Sequence, residues 1–305
     1  MRYLLALTLT LLLLSCSDNR AVLSDSREAT EIPDIWYQGK AEVSTYELIQ
    51  NRYNDTHPGK MTTVFVTEDF LTDKQVKNDS GKSANSTGVL KMNKVRRFTT
   101  GIYDYSLFTS VFTDVKKART YKATTSSQDW CGHSYMQLNR AKDKYKVKLQ
   151  SYFEDESVEK TTKAVVTEDD IPLLIKIDPS RLPSGDFEVL PSLEYTLLRH
   201  IDYKPIAATA SMDTVIIEEH DGYDYVEPVH RYTVEMPSLR RKLTYYYSDE
   251  PQRQITMWED EHPSAFDGKL RTTRATLLHS EWLPYWSLNN KKDSQLREQF
   301  GLNSF

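Results

Sequence analysis

Lys144-Tyr145-Lys146-Val147-Lys148-Leu149-Gln150-Ser151-Tyr152-Phe153-Glu154 decides the fold class. Tyr145, Val147, Leu149, Ser151 and Phe153 alternate with Lys144, Lys146, Lys148, Gln150 and Glu154. A period of two sends one set of side chains to a core and the other to water, so the stretch reads as a half-buried strand. Lys142, Lys144, Lys146 and Lys148 then form one basic stripe. Lysines on a wet face also keep an exposed strand from pairing with other chains.

Strand signals continue in both directions. Runs at 40–53, 61–68, 89–99, 102–113, 119–127 and 133–140 precede or adjoin this stretch. Runs at 186–193, 205–219, 223–236, 241–248, 253–260 and 269–283 follow it. Asp221-Gly222 and Asp267-Gly268 stand between such runs as hairpin turns. Helices are few. Glu168-Asp169-Asp170 before Ile171-Pro172-Leu173-Leu174-Ile175 suits a helix start, with proline tolerated only in the first turn. Asp293 to Gly301 suits a short terminal helix ending at glycine. The chain is therefore expected to be mainly β, an antiparallel, strongly curved sheet or open barrel with few short helices. Two lobes, 35–167 and 186–290, would suit the break between them; a β-sandwich is the alternative.

The first sixteen residues carry a different message. Met1-Arg2 is followed by an uncharged, leucine-rich run from Tyr3 to Leu14, and then by Ser15-Cys16 and the polar Ser17-Asp18-Asn19-Arg20. A dozen apolar residues fall short of the roughly 20 that span a bilayer. A charged start, a short apolar core and a small residue before the cut describe a secretory signal. Leu13-Leu14-Ser15-Cys16 resembles the lipobox of bacterial lipoproteins, which implies removal of residues 1–15 and acylation of Cys16. Palmitate-type chains on that sulfur would anchor the protein without spanning, since each buried methylene contributes roughly 0.8 kcal/mol. Ser17, in place of the aspartate of inner-membrane lipoproteins, favours the outer membrane, at its periplasmic face or the cell surface. Residues 16–34 read as a lipidated tether and 35–305 as the globular body.

The 305 residues are 39% hydrophobic and 27% charged, with a formal charge of −5 that argues against nucleic acid as a partner. With two cysteines and one of them acylated, Cys131 has no intramolecular partner. Nineteen tyrosines against ten glycines suit aromatic-rich strands.

Three groups of side chains have the composition for chemistry or binding. Trp130, Cys131 and His133 lie close together, and an imidazole beside a thiol lowers the thiol's pKa; the plainer reading is that Trp130 and Cys131 fill core. Glu218-Glu219-His220-Asp221 and Glu259-Asp260-Glu261-His262 are acidic but lack any zinc or calcium spacing, and read as solvated strand ends, with no metal and no cofactor implied. Tyr103 and Tyr105, with Trp130, Cys131 and His133, form the candidate ligand or partner surface. No GxSxG, SxxK, P-loop or Rossmann fingerprint is present. No catalytic residue is assigned.

The body also resembles a family. WYQGKAEVSTYELIQNRY, TTVFVTEDF with KQVK, VLKMN with RFTTGIYDYS, TTSSQDWCGHSYMQLN, SYFEDE and LPSGDFEVLPSLEYTLLRH are similar to a family of bacterial envelope lipoproteins over residues 35 to 215. Its members are often labelled septum formation inhibitor Maf. The SxRRxxL signature of the Maf nucleotide pyrophosphatases is absent here, so the resemblance implies a common fold and an envelope location and supplies no catalytic residues. Three functions follow as expectations: a non-catalytic, lipid-anchored binding or accessory component with an outer-membrane protein partner, a carrier of a lipid or other apolar ligand, or a thiol-dependent enzyme using Cys131.

Overall fold

A computed structural model describes residues 32–81, 83–217, 228–249 and 251–302. Cys16 and Asp221-Gly222 lie outside the described residues.

The strand at 144–150 pairs with both neighbours, and so does nearly every other strand. The elements are β1 (Ala41–Arg52), β2 (Asp55–Leu71), β3 (Val76–Lys77), β4 (Ser86–Thr100), β5 (Tyr103–Asp114), β6 (Arg119–Gln128), β7 (His133–Ala141), β8 (Lys144–Gln150) and β9 (Val158–Lys163). After them come β10 (Val166–Thr167), α1 (Ile171–Ile177), β11 (Gly185–Leu190), α2 (Leu193–Arg199), β12 (Ile206–Ile216), β13 (Pro228–Met236), β14 (Arg241–Tyr247), β15 (Ile255–Pro263), β16 (Leu270–Leu283) and α3 (Leu296–Gln299). All sixteen strands join one sheet, ordered β10-β11-β12-β13-β14-β15-β16-β1-β2-β4-β5-β6-β7-β8-β9, with β3 beside β2. The only parallel pair is β10 with β11 among the described residues. The protein is thus mainly β, a single curved antiparallel sheet, and the sandwich alternative gives way to it. The first and last strands join through β1 and β16, which pair from Ala41↔Leu283 to Ile49↔Arg274.

The sheet curls without closing. At its seam β9 and β11 carry no ladder between them; instead Lys163 Nζ reaches Glu188 Oε2 at 2.6 Å. The chain crosses from β9 into the interior, and α1 and α2 fill the concave side. Ile171, Leu173, Leu174, Ile175, Leu193 and Leu197 belong to the same apolar cluster as Leu48, Phe65, Leu90, Leu107 and Leu138 on the sheet's inner face. Pro172 stands in the first turn of α1, where a missing N–H costs nothing.

The structure departs from the sequence pattern in two places. The run 186–193 is not one strand: the Ser192 hydroxyl accepts the Tyr195 N–H and starts α2. Residues 158–163 (VEKTTK) are strand despite having no apolar face, because β9 is an edge and its alternation carries no burial. At the C-terminus, Phe300 packs on the outer face with Ala41, Val43 and Val66, and Thr45 Oγ1 donates to its carbonyl at 2.8 Å.

Antiparallel pairing sorts the turns to two ends. Turns 53–54, 101–102, 129–132, 151–157 and 264–269 share one end with α2; β1 begins at the other.

Candidate functional site

Charged side chains occur on the inner face of the sheet, in phase with apolar ones. Lys94 and Arg96 alternate with Val95 and Arg97, and so share the face of Leu90, Met92 and Phe98 on β4. Arg241 shares a face with Leu243, Tyr245 and Tyr247 on β14, and Asp260 and His262 share one with Trp258 on β15. Asp260-Glu261-His262 is therefore no solvated strand end; Asp260 and His262 are buried.

These groups satisfy one another in two nodes. Arg241 Nε and Nη2 donate to Asp260 (2.6 and 2.9 Å), and Nη1 and Nη2 donate to Glu168 (2.5 and 2.7 Å). Its guanidinium lies 3.8 Å over the Tyr195 ring. Burial opposes ionisation of Asp260, but the Arg241 charge outweighs it and holds the carboxyl below its usual range. In the second node Glu194, on α2, takes Arg96 Nη2 and lies 3.3 Å from Lys94 Nζ. Burial again works against the charge, and Arg96 and Lys94 overcome it, so Glu194 stays ionised. Lys94 and Arg96 both lie over the Trp258 ring, at 5.8 and 5.3 Å.

The acidic triplet read as a helix start has a larger task. Glu168 and Asp169 accept the backbone N–H groups of Ser192 and Leu193, at 3.0 and 2.9 Å, and so clasp the start of α2. Asp170 takes the Thr120 hydroxyl. Asp169 has no such strong counter-charge, and burial pushes its pKa up to about 7.

Between the nodes is a cleft of about 30 Å³, at the end of the sheet that holds α2. Room for a water needs roughly 10–15 Å³ on this measure, so the cleft takes two or three water-sized groups. Four polar atoms of its lining are buried without a partner: Arg52 Nε, Arg96 Nε, Trp258 Nε1 and Asn51 Oδ1. Leaving a buried polar group unpaired costs about 1–3 kcal/mol, so a bound group that paired with these atoms would be favoured.

Tyr53 and Phe266 form the mouth, their rings 5.2 Å apart. From there an aromatic row runs outward: Tyr53 to Tyr105 at 6.5 Å, Tyr105 to Tyr103 at 5.8 Å and Tyr103 to Trp130 at 6.2 Å. Hydroxyls and Arg52 stitch it, with Tyr53 and Tyr105 oxygens 2.5 Å apart and Arg52 Nη2 donating to Tyr105 at 3.1 Å. Tyr105 is buried, and that burial raises its pKa.

Of the residues singled out in the sequence, Tyr103, Tyr105 and Trp130 come together in this row. Trp130 and Cys131 do not fill core: Trp130 is 68% exposed and Cys131 is exposed in the 129–132 turn. The Asp129 charge raises the Cys131 pKa, the opposite of what a thiolate nucleophile needs. His133 is exposed at the start of β7. No sequence motif joins Arg241, Asp260, Trp258 and Arg96. Their signal was charge in phase with the apolar face of a strand. Among the described residues no group of three or more His, Cys, Asp or Glu side chains is placed to hold a metal ion.

No family model and no curated protein matches the chain. Among solved structures it is similar to a beta-barrel-like protein of domain of unknown function DUF1849 from Brucella abortus, at 12% identity and TM-score 0.47. That match covers 83% of this chain and 99% of the other. It is also similar to a porin-like protein from Bacteroides uniformis, at 12% identity and TM-score 0.25, covering 79% and 96% of the two chains. Neither likeness bears on the cleft. No helix among the described residues is long and apolar enough to cross a membrane.

Proposed function

We infer that this protein is an outer-membrane lipoprotein that binds a ligand, or a group on a partner, in the cleft between Arg241 and Trp258. The single supporting observation for binding is the set of buried, unpaired atoms Arg52 Nε, Arg96 Nε, Trp258 Nε1 and Asn51 Oδ1 around one small cavity. Lys94, Arg96 and Arg241 are already paired with carboxylates, so this part of the site is ordered before anything enters. Anchoring rests on Leu13-Leu14-Ser15-Cys16 and on the resemblance to envelope lipoproteins. The cleft is at the end of the sheet opposite the start of β1, where the chain arrives from Cys16. Strands of a dozen residues at about 3.4 Å each separate the two ends by roughly 40 Å.

An acyl-chain carrier needs a long apolar cavity, whereas this cleft is short and lined by Arg52, Lys94, Arg96, Arg199 and Arg241. A polar ligand group fits better. The test is intact and native mass analysis of the full chain extracted from membranes. The expected result is cleavage before Cys16, added acyl mass on that residue, and a non-covalent adduct that Trp258→Phe loses. An intact leader or unmodified Cys16 overturns the anchoring. Identical native and denatured masses, with no adduct restored by membrane extract, overturn the binding role.

A further inference from the structure

Resting on that binding reading, we propose that the cleft takes an oxyanion head group, a phosphate or carboxylate, whose attached apolar portion lies on the aromatic row outside. Three observations carry this. Of the four unpaired buried atoms, three are N–H donors and one is an acceptor. A ligand rich in acceptor oxygens completes that set, and an apolar or amine-bearing one does not.

Charge points the same way. Arg52, Lys94, Arg96, Arg199 and Arg241 line the cleft, and three carboxylates, Glu168, Asp260 and Glu194, pair with members of that group. Two cations remain in excess. Arg52 gives its Nη atoms to the Leu198 carbonyl (2.7 Å) and the Tyr105 hydroxyl, both uncharged. Arg199 lies over the Tyr195 ring at 5.9 Å and faces no carboxylate partner among the described residues. His262 also lines the cleft and is held neutral by burial, and Asp169 behind Lys94 keeps its proton up to near neutrality. Guanidinium forks match the planar oxygens of carboxylate and phosphate.

Size sets the division of the ligand. The cavity takes two or three water-sized groups, enough for a carboxylate or for two or three oxygens of a phosphate and too little for a chain or ring. Phe266 and Trp130, 64% and 68% exposed, offer the apolar surface beyond the mouth. Such a head group occurs on a membrane lipid and also as a free ion, and the two sources share this chemistry.

Titration calorimetry of the full chain in zwitterionic detergent separates them, with inorganic phosphate and dihexanoylphosphatidate as probes. Phosphate is expected to bind, and Arg52→Gln with Arg199→Gln to weaken it at least tenfold; both residues are only partly buried, so folding survives. At least tenfold tighter binding of the phosphatidate supports the proposal with a lipid source, while equal affinities keep the oxyanion site with a free anion and overturn the contact with the aromatic row. No binding of either probe, or binding that the double substitution leaves unchanged, overturns it. If neither probe binds and native mass still finds a neutral ligand lost with Trp258→Phe, the oxyanion fails and the cleft's binding role stands.

Discussion

Lys176 donates to both carboxylate oxygens of Glu42, at 2.7 and 2.8 Å, and neither side chain reaches solvent. The pair locks α1 to the first strand of the sheet, 134 residues away in sequence. Removing one partner leaves an uncompensated buried charge. Glu42→Gln is therefore expected to lower stability by about 3–5 kcal/mol in urea denaturation. Replacing both, Glu42→Leu with Lys176→Met, recovers most of that loss, since a well-packed apolar pair avoids the cost of desolvating two ions. A double variant as unstable as Glu42→Gln would show that geometry, and not the stranded charge, sets the cost.

Asp169 predicts an unusual pH response. Its folded-state pKa is raised, from 3.8 to about 7, by burial. Between those values the folded state holds a proton that the unfolded state has released, so this group's contribution to stability falls as pH rises from about 4 to about 7. The shift corresponds to at most about 4 kcal/mol. His262 runs the other way: its folded pKa is lowered by burial, so its share of stability rises with pH through the unfolded histidine range. The comparison is therefore with Asp169→Asn, which keeps an oxygen for the Leu193 N–H. Denaturation midpoints across pH 4–8 should diverge, with the variant gaining on the wild type as pH rises. Parallel curves would mean that Asp169 titrates normally.

Local patterning made the strands legible, and long-range pairing hid the site. Alternation placed β4 and β8 within a few residues, because a half-buried strand writes its burial into every second position. β9 carries none of that signal; its Val-Glu-Lys-Thr-Thr-Lys has no buried face to alternate. The short α2 has no reading in the sequence beyond its first residue, Leu193, which falls in the 186–193 strand run, although Ser192 stands as its cap. Arg241, Glu168 and Asp260 meet only because β14, β15 and the 168–170 turn do, and no spacing encodes that meeting. Tyr103, Tyr105 and Trp130 read in the sequence as part of a candidate ligand or partner surface. Their junction with Tyr53 and Arg52 follows from turns sorting to one end of the sheet.

Gly59 tests how tightly the sheet is wound. It pairs with Leu48 on β1 and with Phe98 on β4, and a Cβ built there falls on the Arg97 carbonyl and within 2.8 Å of Phe98 Cβ. Those are backbone and near-backbone atoms, so no flexible side-chain end can yield. Gly59→Ala is expected to cost about 1–3 kcal/mol, the range for overpacking a core. The equivalent change at Gly88, where nothing lies within 4 Å, provides the control and should leave the denaturation midpoint near that of the wild type. Equal effects at the two glycines would remove the argument for close approach at β4.

Cys131 gives a chemical prediction. Its N–H and that of Gly132 donate to Asp129 Oδ1, at 2.6 and 3.3 Å, which holds the turn and sets a negative charge beside the exposed thiol. That charge raises the thiol pKa above its usual value. The thiolate is the reacting species in alkylation, so Cys131 should react with iodoacetamide more slowly at pH 7.5 than a cysteine in an unstructured peptide. Asp129→Asn removes the charge and keeps an oxygen for both N–H groups, so the turn persists and the rate should rise. Cys131→Ala should leave the melting temperature and any binding at the cleft unchanged, because the thiol is exposed. Alkylation faster than the peptide, slowed by Asp129→Asn, would instead mark an activated thiol and return this turn to the list of reactive sites.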